Sequence, residues 1–158
     1  MSQARPKTQS RRALLASGTG AALAIALRPV RAAAATRTES TTDAIRRFAG
    51  EAPIAPGRVT LDLPPLVENG NAVTITVSVE SPMNEADHVR RIALFNEKNP
   101  QPNVITVHLG PRAGRAAITT RIRLADTQRI TAIAETSDGR YWSASADAIV
   151  TLAACLEG

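Results

Sequence analysis

Cys155 is the one cysteine of the chain and its strongest nucleophile, set in Thr151-Leu152-Ala153-Ala154-Cys155-Leu156-Glu157-Gly158. A lone thiol excludes an internal disulfide and leaves two chemistries, a bond to a partner chain or a covalent adduct of its own. The thiolate is the reactive form, and an ordinary thiol pKa near 8.5 keeps most of it protonated at neutral pH. Activation therefore requires a positive charge from elsewhere, because Glu157, two residues on, opposes ionisation. Conventional catalytic sets are missing: there is no phosphate-binding glycine loop, CxxC, HExxH or GxSxG pattern. His88 and His108 are the only histidines; they read as surface or turn residues, and no metal site is expected. Ser143, Ser145 and Asp147 alternate on one strand face with no histidine nearby, a pattern of outward-facing positions and not of a hydrolase. Trp142 reads as a core filler or a partner contact. Arg112, Arg115, Arg121 and Arg123 would attract anions if clustered, and read more simply as a solvated face.

Residues 1–32 read as an export leader. Ser10-Arg11-Arg12-Ala13-Leu14-Leu15 is a twin-arginine pattern, followed by a weakly apolar run to Leu27 and by small residues from Ala32 to Ala35 that suit a peptidase. The run is too short and too rich in Ala, Gly, Ser and Thr to span a bilayer, so membrane insertion is not expected. Periplasmic localisation by the twin-arginine route follows. The leader holds six of the nineteen Lys and Arg and no acidic residue, which leaves thirteen basic against fourteen acidic residues in the remainder. The formal charge of +5 thus belongs to the leader, and it gives no reason to expect a nucleic-acid partner.

What remains is long enough for one core and no second domain. With two Phe, one Tyr and one Trp in the chain, that core must come from Val, Ile, Leu and Ala, residues suited to pleated surfaces. Val73, Ile75, Val77 and Val79 alternate with Thr74, Thr76, Ser78 and Glu80, the period of a half-buried strand. The same period recurs over residues 104–109 and 118–124. Asp138-Gly139 joins 130–135 to 141–152 as a hairpin, Asp-Gly being able to take the positive φ of a tight turn. Pro64-Pro65, Asn69-Gly70, Asn99-Pro100 and Gly110-Pro111 punctuate the rest. Short strands at such intervals predict an all-β, two-sheet antiparallel sandwich over residues 42–152. One helix is expected at Asp43–Ala49, capped by Thr42 and stopped by Gly50, and too short to persist unless packed. Residues 33–41 read as a flexible extension and 153–158 as a C-terminal arm carrying the cysteine.

Several segments together resemble SoxY, the sulfur-carrier subunit of the bacterial thiosulfate-oxidising (Sox) system. They are Val59-Thr60-Leu61-Asp62-Leu63-Pro64-Pro65-Leu66-Val67-Glu68-Asn69-Gly70-Asn71, Val77-Ser78-Val79-Glu80-Ser81-Pro82-Met83, Phe95-Asn96-Glu97-Lys98-Asn99-Pro100 and Thr120-Arg121-Ile122-Arg123-Leu124-Ala125, with the cysteine at 155. The resemblance runs from about Asp43 to Cys155. It implies an immunoglobulin-like sandwich in the periplasm, paired with SoxZ, a second small β protein. It implies covalent attachment of substrate at Cys155 and no cofactor beyond that bound sulfur. A c-type cytochrome would join thiosulfate to the cysteine, a hydrolase would release sulfate, and a molybdenum-containing sulfane dehydrogenase would oxidise the sulfur left behind.

In the family the cysteine sits on a glycine-rich arm, typically Gly-Gly-Cys-Gly-Gly. Here Ala153 and Ala154 precede it, and Leu156 and Glu157 come before Gly158. Each alanine restricts the backbone by about 0.5–1 kcal/mol relative to glycine, so the arm is expected to be stiffer, and Leu152–Glu157 could hold a helical turn. Counted from Thr151, an extended arm places Cys155 roughly 14 Å from the last strand. The alternative to a carrier is a structural or adaptor subunit, its cysteine silent or in an intermolecular disulfide. A thiol enzyme is the weakest reading, for want of a resolving cysteine or an adjacent histidine.

Overall fold

The computed structural model describes residues 39–154. The expected leader with Arg11 and Arg12, most of the expected extension, and Cys155, Leu156, Glu157 and Gly158 lie outside the described residues.

The described chain is an immunoglobulin-like β-sandwich with one helix. The helix, α1 (Thr41–Ala49), is followed by β1 (Ile54–Pro56), β2 (Val59–Asp62), β3 (Leu66–Val67), β4 (Val73–Val79) and β5 (Val89–Asn96). After these come β6 (Asn103–His108), a 3-10 turn at Pro111–Ala113, β7 (Ala117–Ile122), β8 (Gln128–Thr136) and β9 (Tyr141–Val150). The larger sheet runs β1-β9-β8-β5-β6, with β3 also on β9, and the smaller runs β2-β4-β7. All pairs are antiparallel except those of β1 and β3, which run parallel to β9 along the sheet edge. Among the described residues no helix is long and apolar enough to cross a membrane.

β4 shows why alternation is informative where it occurs. Val73, Ile75, Val77 and Val79 are buried while the residues between them face outward, so one side of the small sheet closes the core. β5 and β8 lack that pattern because both their faces are covered. Ile92, Leu94, Ile130, Ala132 and Ala134 point into the sandwich. Ala93, Phe95 and Ile133 point the other way, into a second cluster with Ala44, Phe48 and Ala49 of α1. Phe48 meets Phe95 and Tyr141 edge to face at 5.8 and 6.0 Å between ring centroids. Arg91 of β5 pairs with Glu135 of β8 and lays its guanidinium 4.5 Å over the Phe48 ring, tying the helix to the sheet. Such covered strands read as plain apolar runs, which is why β5 escapes a search for alternation.

Three local expectations change. The helix cap is Ser40 and not Thr42: Ser40 is extended (φ −76°, ψ 151°) and its Oγ accepts the Asp43 amide at 3.1 Å, while Thr42 lies within the first turn. Thr41 Oγ1 donates to the Asn96 carbonyl at 2.8 Å, so tertiary contact draws the helix start earlier. The β8–β9 hairpin uses a three-residue loop, with the Gly139 amide on the Thr136 carbonyl at 2.9 Å and positive φ at Gly139 (80°) but not at Asp138. The final strand ends at Val150 and not at Leu152.

Candidate functional site

Beyond β9 the chain does not leave the body at Thr151. The Thr151 amide donates to the Val67 carbonyl at 2.9 Å, and its hydroxyl donates to the Glu68 carbonyl at 3.2 Å. Three further bonds follow in sequence. The Gly70 amide donates to the Leu152 carbonyl at 2.8 Å, the Leu124 amide to the Gly70 carbonyl at 2.8 Å, and the Ala154 amide to the Leu124 carbonyl at 3.0 Å. Gly70 therefore sits between the end of β7 and the C-terminal segment, bonded to both. The approach demands glycine: a Cβ at residue 70 would stand 2.4 Å from the Leu124 oxygen and 2.9 Å from the Ala154 nitrogen. The Ala154 side chain is buried (5 % exposed), and Leu124 is fully buried.

This arrangement corrects the reach estimated from Thr151. The Leu152 carbonyl and the Ala154 amide are bonded to the body, and Cys155 is a single residue step from Ala154; half of the expected turn Leu152–Glu157 lies outside the described residues. Beside the anchor, Leu66 and Ile149 are register partners on β3 and β9, each 56 % exposed, and Leu152 is 61 % exposed. Leu66 and Ile149 thus form an exposed apolar pair at the sheet edge, and Leu152 is exposed two residues beyond the end of β9.

The other sequence candidates are not drawn into one site. His88 Nδ1 lies 3.1 Å from the Asn84 carbonyl, and His108 is exposed at the end of β6. Among the described residues no three His, Cys, Asp or Glu side chains are grouped to hold a metal. Ser145 shares a hydrogen bond with Thr131 at 2.9 Å across β8–β9. Asp147 pairs with Arg129, and that hydrogen bond holds its carboxyl below the usual carboxylate range. These are the outward rungs of a solvated ladder. Trp142 is half-buried against the main core, with Arg58 and Arg140 each 5.6 Å from its ring centroid. Arg112, Arg115, Arg121 and Arg123 are spread over the 3-10 turn, β7 and its flanks. Gly70 and Leu124, the residues that seat the C-terminal segment, escape sequence reading; only the Asn69-Gly70 turn hints at one of them.

Fold and site define an immunoglobulin-like sandwich whose only thiol follows immediately on a segment hydrogen-bonded to its body. The chain belongs to the family of the sulfur oxidation protein SoxY, whose family model matches residues 45–155 and so ends on the cysteine itself. Among solved structures it is similar to the sulfur carrier protein SoxY from Chlorobium limicola f thiosulfatophilum. The identity is 26 %, the TM-score 0.60, and the match covers 70 % of this chain and 96 % of that one. The superoxide reductase (neelaredoxin) of Ignicoccus hospitalis matches at 20 % identity and TM-score 0.54, over 60 % of this chain and 80 % of that one. The superoxide reductase of Nanoarchaeum equitans matches at 12 % and 0.50, over 60 % and 99 %. At such identities these two share the sandwich and nothing further is carried over. No curated protein matches the sequence.

Proposed function

We propose that this chain is a non-enzymatic carrier of the Sox system, exported to the periplasm through its Arg11-Arg12 leader, that holds thiosulfate-derived sulfur on Cys155. The observation that carries the reading is the family match reaching Cys155, together with the Ala154 bonded to the body that directly precedes it in sequence. The similarity to a protein described as a sulfur carrier supports the same role.

The load chemistry balances with the thiol alone as attachment point. Joining thiosulfate to the Cys155 sulfur forms one S–S bond, releases the thiol proton and passes a pair of electrons to a c-type cytochrome. Water then cleaves the terminal S–S bond at a hydrolase, leaving sulfate and a cysteine persulfide for a sulfane dehydrogenase. No resident cofactor is needed for either step. A SoxZ-like small β protein is the partner that would cover the exposed Leu66, Ile149 and Leu152.

Because Ala154 is bonded to the body, one residue step separates the described body from Cys155, so partner enzymes must approach the sandwich edge. Cys155→Ser tests the role. It should keep the fold and partner binding yet abolish thiosulfate-dependent cytochrome reduction, since a hydroxyl cannot form the persulfide. Full activity in that variant would replace the carrier with an adaptor subunit.

A further inference from the structure

β7 is covered on one side only. It pairs with β4, and among the described residues no strand lies against its outer edge. The Val79 amide donates to the Ala116 carbonyl at 2.8 Å, which fixes the phase of this antiparallel ladder. Ile118, Thr120 and Ile122 therefore turn their amides and carbonyls to β4, and Ala117, Thr119 and Arg121 turn theirs away. Asn99 agrees with that phase where it closes the edge just beyond: its Nδ2 donates to the Arg123 carbonyl at 2.8 Å, and its Oδ1 accepts the Ala125 amide at 3.0 Å. From Ala117 to Arg121 nothing takes that place, and among the described residues the outward amides and carbonyls have no backbone partner. The same stretch gathers the unbalanced positive charge. Arg112, Arg115, Arg121 and Arg123 are all exposed. No ion pair among the described residues uses any of the four, whereas every other arginine there, and Lys98, sits in one. Arg121 has Thr74 as its register partner, and β4 carries no carboxylate to balance it.

We propose that the outer edge of β7 receives an extended, carboxylate-bearing segment of a partner chain as a fourth strand of the small sheet. The free stretch from Ala117 to Arg121 runs about 14 Å and offers the backbone groups that strand addition uses. In an added strand, alternate side chains stand level with Thr119 and Arg121 on the outer face, with about 4.5–5.5 Å between facing Cβ atoms. A carboxylate opposite Arg121 meets that guanidinium and has Arg123 on the diagonal, and Arg112 and Arg115 precede the other end of the stretch. Charge selects the occupant. A second copy laid antiparallel along β7 would set arginine against arginine, which blunts the edge to self-pairing. The same charges favour a strand of the opposite sign. β6, the free edge of the larger sheet, has no Asp, Glu, Lys or Arg in Asn103–His108 and makes no such selection. The edge does not depend on what Cys155 carries.

The test uses the full-length chain, labelled for amide spectroscopy, with the peptide acetyl-Glu-Val-Glu-Val-Thr-Val-Glu-amide as probe. Shift changes and slowed hydrogen exchange are expected at the amides of Ala117, Thr119 and Arg121 and not at those of β6. The same peptide N-methylated on its Glu and Thr residues keeps every carboxylate but cannot donate to the ladder, and it should give no such protection. Arg121→Glu combined with Arg123→Glu should bind the parent peptide roughly three- to thirty-fold more weakly. That variant should also bind acetyl-Lys-Val-Lys-Val-Thr-Val-Lys-amide, which the wild type should refuse. The methylated peptide is compared on the wild type, so this arm holds whether or not the charge-reversed chain folds. No protection at the three β7 amides would overturn the proposal. Equal protection by the methylated peptide would overturn it by reducing the edge to a charged patch for any polyanion, and protection that grows with protein concentration without peptide would do so by assigning the edge to a second copy. Loss of sulfur carriage in Cys155→Ser has no bearing on these readouts, so the two proposals fail separately.

Discussion

Replacing Gly70 by alanine should unseat the C-terminal segment without unfolding the sandwich. The new Cβ would sit 2.4 Å from the Leu124 carbonyl oxygen, 2.9 Å from the Ala154 nitrogen and 3.2 Å from the Leu152 oxygen, all backbone atoms that cannot rotate away. Two responses are open. Shifting Leu124 repacks a fully buried leucine in a close-packed core and also breaks the Leu124 N–Gly70 O bond. Releasing residues 152–154 sacrifices the bonds Gly70 N–Leu152 O and Ala154 N–Leu124 O, about 0.5–1.5 kcal/mol each, so about 1–3 kcal/mol together. The second is the smaller disturbance: it removes the Leu152 and Ala154 contacts and vacates the side toward which residue 70 can withdraw from the Leu124 oxygen, so the segment should give way. For a domain of this size each kcal/mol lowers Tm by roughly 3–6 °C. Thermal unfolding should therefore show a single transition at reduced Tm, while amide hydrogen exchange at Ala154 rises far more than at the β5 and β8 amides. Unchanged Tm and unchanged protection at Ala154 would refute the anchor, and loss of protection throughout β5 and β8 would refute the claim that the segment yields first.

Three further outcomes are expected. The Thr136 hydroxyl and the Arg140 guanidinium hold the Asp138 carboxyl well below the usual carboxylate range, so its contribution to stability is complete above about pH 4 and fades as pH falls through the lowered folded value. Asp138→Asn should cost a few tenths to about 1 kcal/mol in urea unfolding at pH 7, and its gap from the wild type should narrow at pH 2.5; a gap that widens in acid would contradict the assignment. Arg11→Lys with Arg12→Lys should leave precursor in the cytoplasm, and normal periplasmic levels on fractionation would count against twin-arginine export. Expressed without a partner the chain should self-associate in light scattering through the exposed Leu66, Ile149 and Leu152, and co-expression should return it to a defined heterodimer. A well-behaved monomer at high concentration would argue against an obligate pair.

Period-2 alternation made β4 legible because only one of its faces is covered, and Asp138-Gly139 marked the last hairpin. β5 was hidden by the same physics: α1 covers its outer face, so Ala93 and Phe95 are as buried as Ile92 and Leu94 and no polar residue punctuates the run. β1 and β3, two or three residues long, exist because β9 offers an edge to pair with, which no local pattern announces. The thiol was legible as the one reactive group. The seating of the segment before it was not, since Gly70, Leu124 and Ala154 are far apart in sequence and meet only through backbone atoms, whose bonding leaves no residue signature beyond a glycine where a side chain has no room.

The central claim is that Cys155 carries sulfur. It is tested most directly by mass spectrometry of the protein taken without reductant from the periplasm of cells oxidising thiosulfate. The account predicts that the peptide containing Cys155 bears added sulfur and thiosulfonate, both removed by a thiol reductant, and that the remaining peptides are unmodified. A Cys155 recovered only as free thiol, or only as a disulfide to another chain, would contradict it.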